Sequence, residues 1–174
     1  GRHPQRVVFA EAVHPTMLKA AVQAKSEGIC QPILLGNDEV IEKMAKELDL
    51  NLDGIEIVNL RHPNEQERRE RYARVLAEKR QRDGYTFQEA NDKMFERNYF
   101  GMMMVETGDA DAFITGLYTK YSNTIKVVNE VIGIRPEYKH FGTIHIINSP
   151  KGTLYVGDTL VNENPDTETL VDIA

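Results

Sequence analysis

The sequence predicts an α/β fold with three layers, in which helices cover both faces of a mostly parallel sheet and a β-hairpin follows near the C-terminus. Two observations lead to this prediction. Short apolar segments alternate four times with longer segments whose apolar residues recur at helical spacing. The short segments also lack the period-two alternation of polar and apolar residues, which is typical of strands that are covered on both faces of a parallel sheet.

The first part of the chain supplies three strand–helix pairs. The predicted strands are 6–10, 32–35 and 55–58. The predicted helices are 15–27, 38–48 and the highly charged 64–82. The first starts at a proline and is stopped by Gly28, the second is capped by Asn37 and Asp38, and the third is stopped by Gly84. A capping box of Thr86 and Glu89 then predicts a helix from Phe87 that continues, straight or kinked, to Thr107.

The C-terminal part predicts a hairpin and one more helix. The β-prone segments 143–147 and 153–156 flank the turn Ser149-Pro150-Lys151-Gly152, and we therefore expect them to pair as antiparallel strands. A last helix is predicted from Pro165 to Ala174. Because this helix reaches the last residue without a C-cap, we expect residues 1–174 to be the N-terminal part of a larger domain.

The region after the fourth predicted strand has the features of an anion site. The strand 112–115 lies between two glycines and leads into a predicted helix over 122–132. Ser122, Asn123 and Thr124 are residue types that cap helix N-termini. A loop of this kind presents free backbone N–H groups and the positive end of the helix dipole. Lys126 adds a full charge, so we predict that Ser122, Thr124 and Lys126 bind phosphate or a phosphate-bearing cofactor.

Three more residues are candidates for the same ligand. Arg80 lies near the C-terminal end of the charged helix, where a guanidinium could hold a phosphate bidentately. Mixed charge along such a helix is nevertheless more typical of a solvated face. Asp158 and Asn162 follow the second hairpin strand, and ligands of open α/β sheets bind just beyond strand ends.

Composition and motifs exclude several other functions. The net charge is −6 and no basic stripe is interleaved with aromatic residues, which argues against nucleic-acid binding. The apolar runs are too short to span a membrane, and Cys30 is the single cysteine, which fits a reducing cytoplasm. The five histidines show no metal-ligand spacing, so no metal site is predicted. Neither a Walker A nor a GxSxG motif occurs, and the absence of GxGxxG argues against a dinucleotide-binding domain.

Several strings of residues, taken in order, resemble the phosphate acetyl/butyryltransferase family. They are EAVHPTMLKAA, PILLGN, GDADAFITG followed by SNTIK, and GDTLVNENPDTETLVDIA. The tract RQRDGYTFQEANDKMFERNYFGMMMV is most similar to the version of the domain that is fused to the C-terminus of bacterial NADP-dependent malic enzymes. The resemblance spans nearly the whole chain. It implies an isocitrate dehydrogenase-like fold, a homodimer, and a cleft for CoA and acyl phosphate between two subdomains.

The resemblance also assigns roles to individual residues. One phosphate-binding arginine of the family matches Arg80, a second matches Lys126, and a loop serine matches Ser122. A lysine keeps the positive charge but lacks the bidentate fork of arginine. The family's catalytic serine–arginine pair and its aspartate base belong to a later segment, so the resemblance implies no catalytic residue within 1–174.

Three hypotheses about function stay open. The favoured one is a phosphotransacetylase-like domain of an NADP-dependent malic enzyme, which senses acetyl-CoA or phosphate and helps subunits to assemble, while NADP binds only in a malic enzyme region outside this chain. The second is part of a phosphate acetyltransferase, which transfers an acyl group between acyl phosphate and CoA. That reaction needs a phosphoryl clamp, a base and an oxyanion donor, and these residues offer parts of the clamp alone. The third is a dinucleotide-binding domain.

Overall fold

A parallel sheet forms the centre of the first of two units. The computed structural model describes residues 4–158 and 160–173, and the boundary between the two units falls after Ile132 in the chain. The strands of the first unit are β1 (Gln5–Phe9), β2 (Cys30–Leu35), β3 (Glu56–Val58) and β4 (Ala112–Ile114). All neighbouring pairs among these strands are parallel, in the order β3-β2-β1-β4. The predicted parallel sheet is therefore confirmed.

Helices cover both faces of this sheet. They are α1 (Pro15–Ser26), α2 (Asp38–Glu47), α3 (Gln66–Lys79), α4 (Phe87–Lys93), α5 (Arg97–Glu106) and α6 (Tyr121–Val131). Val7 and Phe9 of β1 belong to an apolar core with α1 and α2, whereas Val8 between them belongs to a second core with α3, α5 and α6. Both faces of the strand are thus buried, which explains the absence of polar alternation in its sequence. The three-layer architecture is confirmed.

The second unit contains the hairpin and the last helix. Strands β5 (Ile144–Ser149) and β6 (Gly152–Gly157) pair in antiparallel register, so the predicted hairpin is confirmed. Helix α7 spans Thr167–Ile173, and the Asp166 carboxylate accepts hydrogen bonds from the backbone N–H and the hydroxyl of Thr169. This is the geometry of an N-cap. The predicted end of the helix at Ala174 lies outside the described residues.

Two of the predicted helices are divided. The charged segment consists of the 3₁₀ turn Pro63–Glu65, α3 and a second 3₁₀ turn, Gln81–Asp83, and it ends at Gly84 with a φ of 82°. The helix predicted from Phe87 to Thr107 has the expected capping box but breaks between α4 and α5. At the break the N–H groups of residues 94–96 bond three residues back rather than four, which tightens the last turn of α4 and redirects the chain.

The start of α6 differs from its prediction. The helix begins at Tyr121 with Lys120 at the N-cap position, so the prediction that Ser122, Asn123 and Thr124 cap it is wrong. These residues lie in the first turn instead. Backbone N–H groups of Asn123 and Thr124 donate to the Lys120 carbonyl, which starts the helix earlier than the side chains suggested. Within the described ranges, no helix is both long enough and apolar enough to cross a bilayer.

Candidate anion-binding site

A cleft of about 680 Å³ opens at the carboxyl edge of the sheet in the first unit. Val13 follows β1, Asn37 follows β2 and Asn59 follows β3, and all three line the cleft. The remaining wall comes from the α4–α5 break, residues 95–99, and from the start of α6. The carboxyl edge is where ligands bind in open α/β sheets, so the cleft occupies the position that the fold favours for a site.

Four cationic side chains line this cleft. They are Arg61, Lys93, Arg97 and Lys126. Glu96 is the one carboxylate among the described lining residues. Cations therefore outnumber carboxylates on the walls, and the low-dielectric protein around them strengthens their attraction for an anion. We call this set of four side chains the cationic cluster.

Arg61 is held in place by a second, buried arginine. The Arg69 side chain is 7% exposed, and its guanidinium donates to the carbonyls of Leu60, at 2.6 Å, and His62, at 3.0 Å. It also lies 4.7 Å from the centre of the Phe95 ring, which faces the Arg61 guanidinium at 6.0 Å. Arg69 thus fixes the backbone on both sides of Arg61 and shares an aromatic partner with it.

Lys93 and Lys126 share a carboxylate behind the wall. Glu130 lies 3.8 Å from each of the two ammonium groups. It also accepts hydrogen bonds from the hydroxyls of Tyr85 and Tyr99, and Lys93 donates to the Tyr99 hydroxyl at 3.0 Å. Burial acts to raise the pKa of Glu130, but the two hydroxyls and the two lysines outweigh it and lower that pKa. Burial and the bond to Glu130 raise the pKa of Tyr85 to about 12, so the carboxylate keeps the charge.

The loop after β4 does not offer the free N–H groups that its sequence predicts. Glu11, which lies beyond the end of β1, is 1% exposed. One of its carboxylate oxygens accepts from the N–H groups of Gly116 and Leu117, at 3.0 and 2.9 Å, and the other accepts from Tyr118 at 2.9 Å. Burial acts to raise the pKa of Glu11, and these bonds, together with Arg97, outweigh it and lower that pKa. The chain's own carboxylate therefore fills the anion position of this loop.

The other predicted phosphate ligands of this unit lie in different surroundings. The Arg80 guanidinium donates to the backbone carbonyls of Asn129 and Glu130 at the C-terminal end of α6 and does not line the cleft. Ser122 is exposed and Thr124 is half-buried, and the residue between them, Asn123, lines the cleft. Lys126 is thus the predicted ligand that the structure places in the cleft. Phosphate binding by Arg80, Ser122 and Thr124 stays a prediction.

Asp158 and Asn162 belong to the second unit, where they bond to each other. The backbone N–H and the side-chain amide of Asn162 donate to the Asp158 carboxylate at 2.9 and 2.6 Å, and the N–H of Thr143 donates to its other oxygen at 3.2 Å. These bonds tie the two ends of the hairpin together. A ligand-binding role for either residue stays a prediction. In the described part of the chain, no group of three or more histidine, cysteine or acidic side chains could hold a metal ion.

Sequence reasoning missed three members of the cationic cluster. Arg61 lies three residues beyond the last residue of β3, and its place near a strand's carboxyl end was a usable signal. Lys93 and Arg97 flank the α4–α5 break. One helix, straight or kinked, was predicted over both positions, and this prediction did not locate the break that brings the two side chains to the sheet edge.

Comparisons with known proteins agree with this architecture. The model of the family described as "Phosphate acetyl/butaryl transferase" matches residues 1–174. An NADP-dependent malic enzyme from Rhizobium meliloti (strain 1021) is 35% identical over 176 residues, which cover 99% of this chain and 23% of that protein. A phosphate acetyltransferase from Corynebacterium glutamicum is 35% identical over 169 residues, which cover 97% of this chain and 50% of that protein.

The fold is also similar to solved structures. The EutD phosphotransacetylase from Staphylococcus aureus superposes with a TM-score of 0.81 at 25% identity, over 98% of this chain and 51% of that one. The chain spans between about a quarter and a half of the length of these similar proteins. The family match extends over every element described above, from β1 to α7. The chain belongs to the phosphate acetyl/butaryl transferase family.

Proposed function

We propose that this chain is a phosphotransacetylase-like domain that binds a phosphate-bearing ligand, inorganic phosphate or an acyl-CoA, in the cleft at the carboxyl edge of its sheet. The observation that carries this proposal is the cationic cluster, because four cationic residues line one cleft and one acidic residue accompanies them among the described lining residues. Guanidinium and ammonium groups are the usual protein partners of phosphate oxygens. Lys126 is the residue that both the sequence and the cleft geometry favour as a ligand.

We propose further that the domain acts as a regulatory and oligomerising part of an NADP-dependent malic enzyme in the cytoplasm. The 35% identity to the enzyme from Rhizobium meliloti supports this assignment. Exposed apolar side chains on the hairpin, of which Ile144 is 64% exposed and Tyr155 is 71% exposed, support self-association. In this proposal the ligand is acetyl-CoA or phosphate, and its binding to the domain regulates the enzyme. NADP binds elsewhere in the enzyme.

A second candidate is a catalytic role in phosphate acetyl transfer. Its support is the 35% identity to the phosphate acetyltransferase from Corynebacterium glutamicum. Transfer requires a base that generates the CoA thiolate and a donor for the tetrahedral oxyanion. The resemblance puts the base in a later segment of the family, and the described cleft residues offer parts of the phosphate clamp alone. The two candidates therefore differ in turnover and share the binding site.

Isothermal titration calorimetry tests the proposed ligand. Inorganic phosphate, acetyl-CoA and NADP are titrated separately into the wild-type protein and into the variants Arg61→Ala and Lys126→Ala. Loss of one charged contact costs about 1.5–3 kcal/mol, so each variant should bind phosphate roughly ten to a hundred times more weakly. The control is Lys43→Ala, which removes an exposed cation of α2 that lies outside the cleft.

The outcomes separate the candidates. Phosphate affinity that is unchanged in both cleft variants would move the site elsewhere. Binding of NADP in place of phosphate and acetyl-CoA would favour a dinucleotide-binding domain. Formation of acetyl-CoA from acetyl phosphate and CoA by a protein that joins these residues to the family's later catalytic segment would favour the transferase. Binding without turnover by that longer protein supports the regulatory role.

A further inference from the structure

We propose that Glu11 is a positioning residue for the anion site: its carboxylate fixes the loop Gly116–Tyr118 and thereby holds the start of α6 against the cleft. This inference rests on the proposed function, because it concerns how the same cleft is kept ready for a phosphate group. Glu11 does not line the cleft, so it acts through the loop and not by touching the ligand.

The bonding of Glu11 requires an anion at this place. Three consecutive backbone N–H groups converge on its two oxygens at 2.9–3.0 Å, and the side chain is almost fully buried. These bonds are partly buried, and N–H groups that are shielded from water and lack an acceptor are costly. A carboxylate can accept all three bonds, whereas an isosteric amide turns an NH₂ group toward at least one donor. Both the charge and the shape of the side chain therefore matter.

The loop is connected to the cleft by a short series of contacts. Asn98 bonds to the residues on both sides of the loop. The Thr115 hydroxyl, before the loop, donates to the Asn98 side-chain carbonyl at 3.2 Å, and the Asn98 side-chain NH₂ donates to the hydroxyl of Thr119, after the loop, at 3.5 Å. Asn98, Thr119 and Asn123 all line the cleft. Two residues separate this loop from helix α6, which carries Asn123 and Lys126 and begins where the N–H of Asn123 donates to the Lys120 carbonyl.

Chemical rescue provides a sharp test. Glu11→Ala deletes a CH₂–COO⁻ group, which has the size and charge of acetate. We expect this variant to bind inorganic phosphate at least roughly tenfold more weakly, because mutation of a residue that supports a liganding group typically weakens binding by this much. Acetate should restore the affinity in a saturable manner, whereas acetamide, its neutral isostere, should not. Glu42→Ala, which removes an exposed carboxylate of α2, is the matched control, and wild-type protein with acetate controls for direct competition.

Glu11→Gln keeps the proposal testable if the alanine variant does not fold. This variant preserves the volume, and we expect a native circular dichroism spectrum with weakened phosphate binding. Phosphate affinity that is undiminished in the folded variants, or restored equally by acetate and acetamide, would overturn the positioning role alone. Wild-type protein that does not bind phosphate would overturn the proposed function and this inference with it.

Discussion

At the scale of single residues, Glu130 is a charged partner of two cations of the cleft, Lys93 and Lys126. Its pKa lies below the ordinary value of 4.5 because two tyrosine hydroxyls and two lysines outweigh the effect of burial. A carboxylate whose folded-state pKa is lowered stabilises the protein above its unfolded-state pKa, and this stabilisation disappears as the pH falls through the folded-state value. The charged form of Glu130 therefore contributes fully at neutral pH and loses its contribution in acid.

This predicts a pH-dependent effect of Glu130→Gln. The free energy of unfolding, measured with urea in phosphate-free buffer, should differ most between wild type and variant near pH 7. The difference should shrink as the pH falls below about 4.5, where the unfolded chain begins to take up the proton. A difference that is constant between pH 7 and pH 3 would mean that the carboxylate's charge is not what stabilises the network.

Arg69 is the residue whose loss should be most visible in stability. Arg69→Met keeps much of the aliphatic volume but leaves the buried carbonyl of Leu60 without its donor, while the partly buried carbonyl of His62 keeps the Glu65 N–H. We expect a loss of about 1–3 kcal/mol in the free energy of unfolding. Arg74→Met on the exposed side of the same helix, where the ion pair with Glu70 is solvated, should change it by less than about 0.5 kcal/mol. Equal effects of the two changes in urea denaturation would contradict the role given to Arg69.

At the scale of elements, α5 packs so closely on the sheet that one position requires glycine. A Cβ on Gly101 would lie 2.7 Å from Phe113 Cδ2 and 3.0 Å from Leu35 Cδ1. In an exposed helix Gly→Ala stabilises by about 1 kcal/mol. Here we expect Gly101→Ala to destabilise by about 1–3 kcal/mol, because the Phe113 ring must move within a packed core. A rise in the thermal midpoint would show that α5 does not pack on β2 and β4 in this way.

The elements themselves were largely predictable, and their ends were not. The parallel strands, the capping box at Thr86 and the hairpin follow from local signals that act within a few residues. The α4–α5 break depends on the N–H groups of residues 94–96, which bond three residues back at the end of α4. The capping box lies at the other end of that helix and gives no information about these bonds. The early start of α6 depends on the Lys120 carbonyl, which accepts from two N–H groups of its first turn although no side chain caps it.

At the scale of the whole molecule, the site was only partly predictable, because its partners are distant in sequence. Lys126 was found from a pattern within its own loop. Glu11 meets the Gly116–Tyr118 amides across more than a hundred residues, and Arg80 reaches α6 across about fifty. Each interaction joins residues that only the tertiary structure brings together, so no local spacing signals it. The sequence predicted a ligand anion at the loop after β4, whereas the structure places the Glu11 carboxylate on the amides of that loop.

The central proposal is that a ligand phosphate binds to the cationic cluster and not to the loop amides. A crystal structure of the protein grown with millimolar inorganic phosphate tests this claim most directly. We predict phosphate density within hydrogen-bond distance of Lys126 and at least one arginine of the cluster, with Glu11 still bonded to Gly116, Leu117 and Tyr118. Phosphate bound to those three amides, with Glu11 turned away, would contradict the account.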